Sequence, residues 1–286
     1  MLGRQKLSLT KEQMARTIKS FGYDADDPGL DAIMTGTNGY ADAFLIHLGA
    51  RDVHAFDYSV FEGATHCVDL NEPIPEAFKE AYSVVLDGGT LEHVFNYPVA
   101  IRSCMDILRV GGHFVAITPA NNFFGHGFYQ FSPELFYSVF SAQNGFELKR
   151  LIAFNDRPNR WWRSAHPHAQ WYAVANPAEV GERVTLSNSH PVSLMVIAQK
   201  IVQKPIFKFS PQQSDYLAKW AEPGAAKAAR DLPRPAWMRA AKAVIPAPVR
   251  LAVRKALQRP GKPLATRFER RFFKPLDPIA DGRRLH

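Results

Sequence analysis

The sequence predicts a doubly wound α/β fold, because short apolar strands alternate with helices along roughly the first half of the chain. Three of the predicted strands each end in an aspartate: Val53–Phe56 before Asp57, His66–Val68 before Asp69, and Tyr82–Leu86 before Asp87. In open α/β sheets, ligands bind just beyond the carboxyl ends of the strands. The three carboxylates therefore predict a binding site along one edge of the sheet.

The N-terminal part is predicted to hold two helices. Thr10 and Gln13 have the spacing of a capping box, which predicts a helix that continues to Phe21. Residues 22–39 are rich in Gly, Asp and Pro and indicate a loop. A second helix is expected over Tyr40–Leu48 and ends at Gly49.

The strand Tyr82–Leu86 organises the centre of the chain. Its short apolar run is typical of a strand that is buried on both faces. Asp87, Gly88 and Gly89 stop this strand, and a helix follows over Pro98–Leu108. Gly111 and Gly112 are then predicted to turn the chain into the next strand, 113–118.

A polar and aromatic loop at 121–130 precedes a helix that Ser132 and Pro133 open. The last two predicted strands are Glu147–Phe154 and Val192–Ile201. The long segment between them carries several aromatic and histidine residues: Trp161, Trp162, His166, His168 and Trp171.

The composition indicates a soluble protein with an ample core. The chain has 286 residues, of which 46% are hydrophobic, and its mean hydropathy is −0.21. No apolar run is long enough to cross a bilayer, and residues 1–13 lack the apolar core of a signal peptide. The two cysteines form no motif and suit a reducing compartment. A cytoplasmic protein is therefore expected.

The net charge of +8 belongs to one end of the chain. Residues 225–286 hold sixteen Lys and Arg against four Asp and Glu, a net +12, so residues 1–224 carry −4. A basic amphipathic helix over 249–259 is typical of binding to an anionic membrane surface, which makes the protein a candidate peripheral membrane protein. A solvated helix or a subunit contact is the alternative. Nucleic acid is not expected, because few aromatic residues are interleaved for stacking.

The three strand-end carboxylates suit a ligand with hydroxyl, amino or cationic groups. They would repel a pyrophosphate, and the chain has neither G-x-x-x-x-G-K-[ST] nor G-x-G-x-x-G to bind one. This pattern argues against NAD and ATP, and it favours a cationic nucleoside such as S-adenosylmethionine.

Over roughly residues 1–155 the chain resembles the class I S-adenosylmethionine-dependent methyltransferases. The stretches that carry the resemblance are Ala55–Asp57, Cys67–Asn71, Asp87–Phe95, Ile107–His113, Thr118–Pro119 and Gly125–Gly127. The resemblance implies a Rossmann-like, seven-stranded, mostly parallel sheet with Val192–Ile201 as its antiparallel last strand. The methyltransferase-like domain is expected over 1–204, followed by a basic Pro-, Ala- and Arg-rich helical tail over 205–286.

The resemblance also implies cofactor contacts for S-adenosylmethionine. Asp57 is expected to accept hydrogen bonds from the ribose hydroxyls, and Asp69 is expected to meet the adenine amino group. Asp87 and Gly88 are expected near the methionine part of the cofactor.

The chain departs from the family at the first strand, where a glycine-rich turn is usual. Either Gly3 or the stretch Gly36–Gly39 can take that place. Gly3 is favoured, with 8–39 as an inserted helix and loop, and the natural start is then expected to lie upstream.

Two histidines are candidate catalytic residues. His93 follows the central strand and is either a general base or a packing residue. His126 lies in the 121–130 loop over the expected acceptor site, together with the candidate substrate residues Asn122, Tyr129 and Gln130. This loop either lines a small-molecule pocket or is a lid packed by its own aromatic residues. Neither a zinc signature nor a G-x-S-x-G elbow is present, so no metal and no hydrolase is predicted.

The predicted function is methyl transfer to an oxygen or nitrogen of a small molecule or glycan. The alternative is a non-catalytic methyltransferase-fold scaffold or partner-binding module, because the first-strand loop is degenerate.

Overall fold

The computed structural model describes residues 1–7, 9–22, 24, 29–30, 33, 39–155, 170–188, 190–221 and 268–277. The helices are α1 (Lys11–Ser20), α2 (Asp42–His47), α3 (Tyr97–Ile107), α4 (Pro133–Val139), α5 (Pro177–Val180) and α6 (Ser214–Ala221). The strands are β1 (Phe56–Asp57), β2 (His66–Cys67), β3 (Tyr82–Asp87), β4 (Leu108–Asn121), β5 (Phe146–Asn155), β6 (Trp171–Val174), β7 (Val192–Lys200) and β8 (Phe273–Leu276). Short 3₁₀ helices lie at Glu76–Phe78, Leu91–His93 and Ala142–Asn144. The prediction of a mixed α/β fold is confirmed.

Six strands form one sheet in the order β3-β4-β7-β5-β6-β8. Only β3 and β4 are parallel neighbours, and the other four pairs are antiparallel. The prediction of a mostly parallel sheet is therefore not confirmed for these six strands. The reason is that β7 runs antiparallel between β4 and β5 and so makes two antiparallel pairs. The edge strands β6 and β8 add two more.

Leu2 links this sheet to a separate parallel pair, β1 and β2. It forms isolated parallel bridges with Phe56 of β1 on one side and with Asp87 of β3 on the other. The backbone N–H of Leu2 donates to the Leu86 carbonyl at 2.8 Å, and the N–H of Gly3 donates to the Phe56 carbonyl at 2.8 Å. The spatial order of the linked strands is therefore β2-β1-Leu2-β3-β4-β7-β5-β6-β8.

The main core lies between the six-stranded sheet and α3, whose apolar face is buried. Ile101 and Met105 of α3 pack in one cluster with Phe114 of β4 and Val196 of β7. α1 has its own small cluster around Met14 and Ile18, and the predicted capping box between Thr10 and Gln13 is present.

The predicted turn at Gly111–Gly112 lies within the bounds of β4, which spans Leu108–Asn121. The residues at 109–112 pair with neither neighbour: β3 pairs at Leu108 and next at His113, and the pairing with β7 begins at His113. Gly111 has φ +85°, a conformation that glycine adopts without strain. The glycines therefore form an irregularity within β4 and do not end an element.

The last described segment of the chain is a strand in the sheet. β8 pairs with β6, and Phe272 and Phe273 are buried in the main core. Ile206 is buried in the same core, so parts of the predicted tail on both sides of 222–267 contact the first 204 residues. The division of the chain at residue 204 stays a prediction, because residues 222–267, including the predicted amphipathic helix, lie outside the described residues.

Trp161, Trp162, His166 and His168, and the stretch 36–38 of the alternative glycine loop, also lie outside the described residues. Within the described ranges, none of the helices has the length and apolar character required to cross a membrane.

A buried lysine caps the helix that packs on the sheet. The Lys200 ammonium donates to the carbonyls of Leu108 (2.7 Å) and Met105 (3.3 Å), at the C-terminal end of α3. Its third neighbour is the Glu80 carboxylate, 3.8 Å away. The carbonyls at the end of a helix have no intrahelical partners and attract positive charge, so this side chain stabilises the junction of α3 and β4.

Lys200→Met is expected to lower the free energy of unfolding by about 1.5–3 kcal/mol, the range for hydrogen bonds to a charged group. Methionine keeps the apolar stem but leaves the buried carbonyls without a donor. Urea denaturation measures the loss. The control is Lys204→Met, which removes an exposed bond to the Ala142 carbonyl and should change stability by less than about 0.5 kcal/mol. Equal effects at both positions would contradict the capping role.

Candidate functional site

The candidate site lies where Leu2, β1 and β3 reach their carboxyl ends side by side. Gly3 follows Leu2, Asp57 ends β1, and Asp87 ends β3. The register of the bridges places these three residues at one edge of the sheet. The sequence analysis assigned these three residues to one site, although they are far apart in the chain.

Gly3 lies between two polar side chains and has φ +58°. A Cβ atom on this residue would lie 2.9 Å from the Thr90 hydroxyl oxygen and 4.0 Å from Oδ2 of Asp57. The Thr90 hydroxyl also donates to the Leu2 carbonyl at 2.9 Å. Both the backbone conformation and the close approach of Thr90 therefore require glycine here.

Gln5 lies over Gly88. Its side-chain Nε2 donates to the Leu2 carbonyl at 2.6 Å, and its Oε1 occupies the place that a Cβ on Gly88 would take. The exposed backbone of Gly88 is therefore covered by a side chain that can hydrogen-bond and can change its rotamer. Sequence reasoning missed Gln5, because only the fold brings it to the end of β3.

Asp87 is fully buried and supports the turn behind the site. Its Oδ1 accepts from the backbone N–H groups of Thr90 (2.8 Å) and Gly89 (3.2 Å), and its Oδ2 has no partner among the described residues. Burial raises the pKa of this carboxyl to about 7, and the nearby Glu92 carboxylate adds to the rise. Asp87 thus fixes the backbone of the turn, and its expected place near the methionine part of the cofactor stays a prediction.

The burial of Asp87 predicts a dependence of stability on pH. The folded-state pKa is above the ordinary value of 3.8, so the folded protein binds more protons than the unfolded protein between these two values. Stability should therefore fall as pH rises from about 4 to 7, with Asp87 contributing up to about 1.4 kcal/mol per pH unit. Asp87→Asn should show a shallower slope in urea denaturation across this range. Identical slopes for both proteins would contradict this assignment.

Asp57 and Asp69 remain accessible to a ligand. Asp57 is half-buried, and its Oδ1 lies 3.4 Å from the backbone N–H of Ser59. Asp69 is exposed, and its Oδ1 accepts from both the backbone and the side-chain amide of Asn71, each at 2.8 Å. Because β1 and β2 are parallel with Asp57 opposite Cys67, Asp69 follows at the same edge of the sheet.

A second cluster of ionisable groups lies directly after the Asp87 turn. The 3₁₀ helix Leu91–His93 carries Glu92 and His93, and His126 reaches them from the loop after β4. Oε1 of Glu92 lies 3.4 Å from Nε2 of His126, and the rings of His93 and His126 meet edge to face at 5.0 Å. The structure therefore brings the two predicted catalytic histidines together with the carboxylate of Glu92.

The backbone fixes this second cluster. The N–H groups of Phe128 and Tyr129 both donate to the Glu92 carbonyl, at 2.8 and 3.3 Å. Gly127 has φ +69°, and a Cβ there would lie 2.8 Å from the same carbonyl oxygen. The loop can approach Glu92 this closely only because residue 127 is glycine.

The groups in the cluster differ in exposure. Glu92 is buried, and its Oε2 has no partner within the described part of the chain. Burial raises the pKa of Glu92 to about 7. His93 is exposed on the other side, and partial desolvation, with a further contribution from His126, lowers its pKa.

The three predicted substrate residues use their polar atoms within the protein. The Asn122 amide donates to Asn188 and to the His190 carbonyl, the Tyr129 hydroxyl donates to the Phe95 carbonyl, and Gln130 accepts from the N–H of Phe123. These bonds hold the 121–130 loop in place. A direct role in substrate binding stays a prediction.

Two of the cavities in the described structure lie at opposite ends of the central strands. One, of about 200 Å³, is at the carboxyl end of β4 and is lined by Asn121, Gln130 and Phe131, among others. The other, of about 520 Å³, is at the amino end of β5. The smaller cavity shares its edge of the sheet with Asp87.

Comparisons with known proteins do not identify a family. No family model matches the chain, and no curated protein matches it. One solved structure, described as that of a candidate methyltransferase from Bacillus halodurans C-125, is 14% identical with a TM-score of 0.33; the match covers 58% of this chain and 89% of that one. A likeness of this size does not establish fold or activity.

Proposed function

We propose that the protein is a class I S-adenosylmethionine-dependent methyltransferase that acts on an oxygen or nitrogen of a small molecule or glycan. The observation that carries the proposal is the strand order through Leu2. Numbered along the chain from Leu2, the strands Leu2, β1, β2, β3 and β4 lie in the spatial order 3-2-1-4-5. This is the order of a doubly wound Rossmann-like sheet.

The remaining strands support the same interpretation. β5 and β7 complete seven strand positions, and β7 is antiparallel to both of its neighbours. It matches the antiparallel last strand that the resemblance implies. β6 and β8 then extend the edge of the sheet beyond β5.

The proposed ligand crevice is at the point where the strand order reverses, between Leu2 and β3. Doubly wound sheets bind nucleotides outside the carboxyl ends of the strands at this switch point. Gly3, Asp57 and Gly88 all lie at this position.

The residues at the switch point fit a cationic nucleoside. Asp57, which is accessible and carries a carboxylate, would hold the ribose hydroxyls, since charge-assisted hydrogen bonds are strong. Asp69 would meet the adenine, and the backbone at Gly3 and Gly88 would lie along the methionine part. When bound, S-adenosylmethionine supplies a methyl group on a positively charged sulfur.

The residues of this chain would then contribute position and proton handling. Holding an acceptor in line with the methyl group accounts for most of the rate in such a site. His93 follows the turn after Asp87 and His126 meets it from the loop after β4, and an imidazole here can take the proton of an acceptor hydroxyl. The mainly apolar cavity that Gln130 and Asn121 line in part is the proposed side of entry for the acceptor.

One observation favours a non-catalytic scaffold as the second candidate. The Gln5 side chain covers Gly88, where the methionine part of the cofactor would approach. In an enzyme this side chain must rotate away or hydrogen-bond to the cofactor, whereas in a scaffold it simply closes the crevice.

Isothermal titration calorimetry with S-adenosylmethionine, S-adenosylhomocysteine and NADH separates the candidates. A methyltransferase binds the first two and not NADH. A scaffold binds none of them, but Gln5→Ala then opens the crevice and allows binding if the fold has kept its site. Binding of NADH alone would overturn the proposal.

A further inference from the structure

We propose that Glu92, His93 and His126 bind a divalent transition-metal ion of the zinc type, with at least one coordination position open to a further ligand. The candidate donor atoms of these three residues all lie within 4.8 Å of one another. The sequence predicted no metal, because it contains no zinc signature. These three ligands form no recognisable sequence motif, because 32 residues lie between His93 and His126.

The distances suit such an ion. Two ligands about 2.1 Å from zinc at the tetrahedral angle lie roughly 3.4 Å apart. Oε1 of Glu92 and Nε2 of His126 are separated by 3.4 Å. The third ligand, His93, is exposed, so its ring can move by about 1 Å to complete the set without disturbing the core.

The donor set points to the class of metal. Two imidazole nitrogens and one carboxylate oxygen suit zinc, cobalt or iron(II), whereas magnesium and calcium prefer oxygen ligands. Three protein ligands with an open position are typical of catalytic zinc sites, and structural zinc sites use four.

The burial and the backbone hydrogen bonds around Glu92 support a metal site. Glu92 is 1% exposed, and one of its oxygens is buried without a partner among the described residues. A buried carboxylate is normally paired or bound to a metal. The Glu92 carbonyl holds the His126 loop through two backbone hydrogen bonds, so the spacing of these two ligands is set by the fold.

The role of the ion rests on the proposed function. If the protein transfers methyl groups, the open position would hold an acceptor oxygen and lower its pKa, and His93 and His126 would then act as metal ligands in place of the proton acceptors described above. Binding of the metal itself does not depend on S-adenosylmethionine, so the two proposals can fail separately.

Titration of the EDTA-treated full chain with Co²⁺, followed by visible absorption, tests the site. We expect a saturable band with one ion per chain, which Zn²⁺ displaces and Mg²⁺ does not. Glu92→Gln, His126→Gln and His93→Gln should each weaken Co²⁺ binding by roughly tenfold or more. His93→Gln changes an exposed residue, so its thermal unfolding should match the wild type and exclude misfolding as the cause.

The matched control is His66→Gln, which removes one ring of the other close histidine pair, His54 and His66, whose ring nitrogens are 3.4 Å apart. This variant should bind Co²⁺ like the wild type. The proposal is overturned if the wild type shows no saturable binding, or if the three cluster variants bind as tightly as the wild type. It is equally overturned if His66→Gln alone abolishes binding.

Discussion

Phe273→Ala should lower the free energy of unfolding by about 3–5 kcal/mol, the range for large-to-small changes of a buried phenylalanine. Phe273 is 3% exposed, although it lies in the part of the chain that the sequence assigned to a basic tail. Its ring meets Tyr172 of β6 and Phe268 edge to face, at 6.4 and 5.1 Å. Alanine would leave a cavity at the edge of the sheet and remove these contacts.

Chemical denaturation of the full chain measures this loss. The control is Phe209→Ala, at a residue that is 68% exposed, for which a change within about 0.5 kcal/mol is expected. If both variants were equally stable, β8 would contribute nothing to the fold. The result also affects any test of membrane attachment. A deletion that removes the basic segment must retain 268–277, because loss of β8 would confuse attachment with folding.

Asp57→Ala should weaken the binding of S-adenosylmethionine by about 1.5–3 kcal/mol, or roughly 10- to 150-fold. The variant removes the only side-chain carboxylate proposed to hold the two ribose hydroxyls. Asp57 is at the surface end of a two-residue strand, so the fold should tolerate the change. Calorimetry gives the affinity, and thermal unfolding confirms that the variant is folded.

Asp52→Ala is the matched control. It removes a carboxylate from the same region of the chain, but its partner is the exposed Arg51. The affinity for S-adenosylmethionine should stay within about twofold of the wild type, as for a distant surface charge. If both variants bound the cofactor as tightly as the wild type, the cofactor would not lie at the end of β1.

The regular part of the fold could be predicted from local patterns. Strand β3 is a short apolar run and helix α3 has an apolar stripe, and each observed bound differs from the prediction by at most one residue. β8 could not be predicted, because Phe273 and Leu276 stand among charged and proline residues. Its pairing depends on an edge that β6 offers from about 100 residues earlier in the chain.

Some details depend on three-dimensional surroundings that no local pattern contains. Val84, in a strand that the sequence predicted to be buried on both faces, is 51% exposed. The two glycines at 111 and 112 are typical of a turn, and the residues at 109–112 pair with neither β3 nor β7, although the strand bounds extend across them.

The candidate site was predictable in its position and less so in the roles of its residues. The strand ends predicted Asp57 and Asp87 at one edge of the sheet, and the bridges of Leu2 to Phe56 and Asp87 bring the two strand ends to that edge, because parallel strands end at a common edge. The burial of Asp87 was not predictable, since it depends on the turn that folds over the carboxylate. Asn122 and Tyr129 have residue types suited to substrate binding, yet their hydrogen bonds hold the loop.

The pairing of β6 with β8 has a consequence for how the protein folds during synthesis. Trp171 of β6 pairs with Leu276 of β8, which is translated 105 residues later. The edge of β6 that faces β8 therefore has no partner until β8 has been synthesised. Until then β6 presents an unpaired edge, and such edges are sites of pairing with other chains. Closing so long a loop also costs more chain entropy than a local hairpin does. We therefore expect aggregation during expression to increase when translation stalls or stops before residue 276.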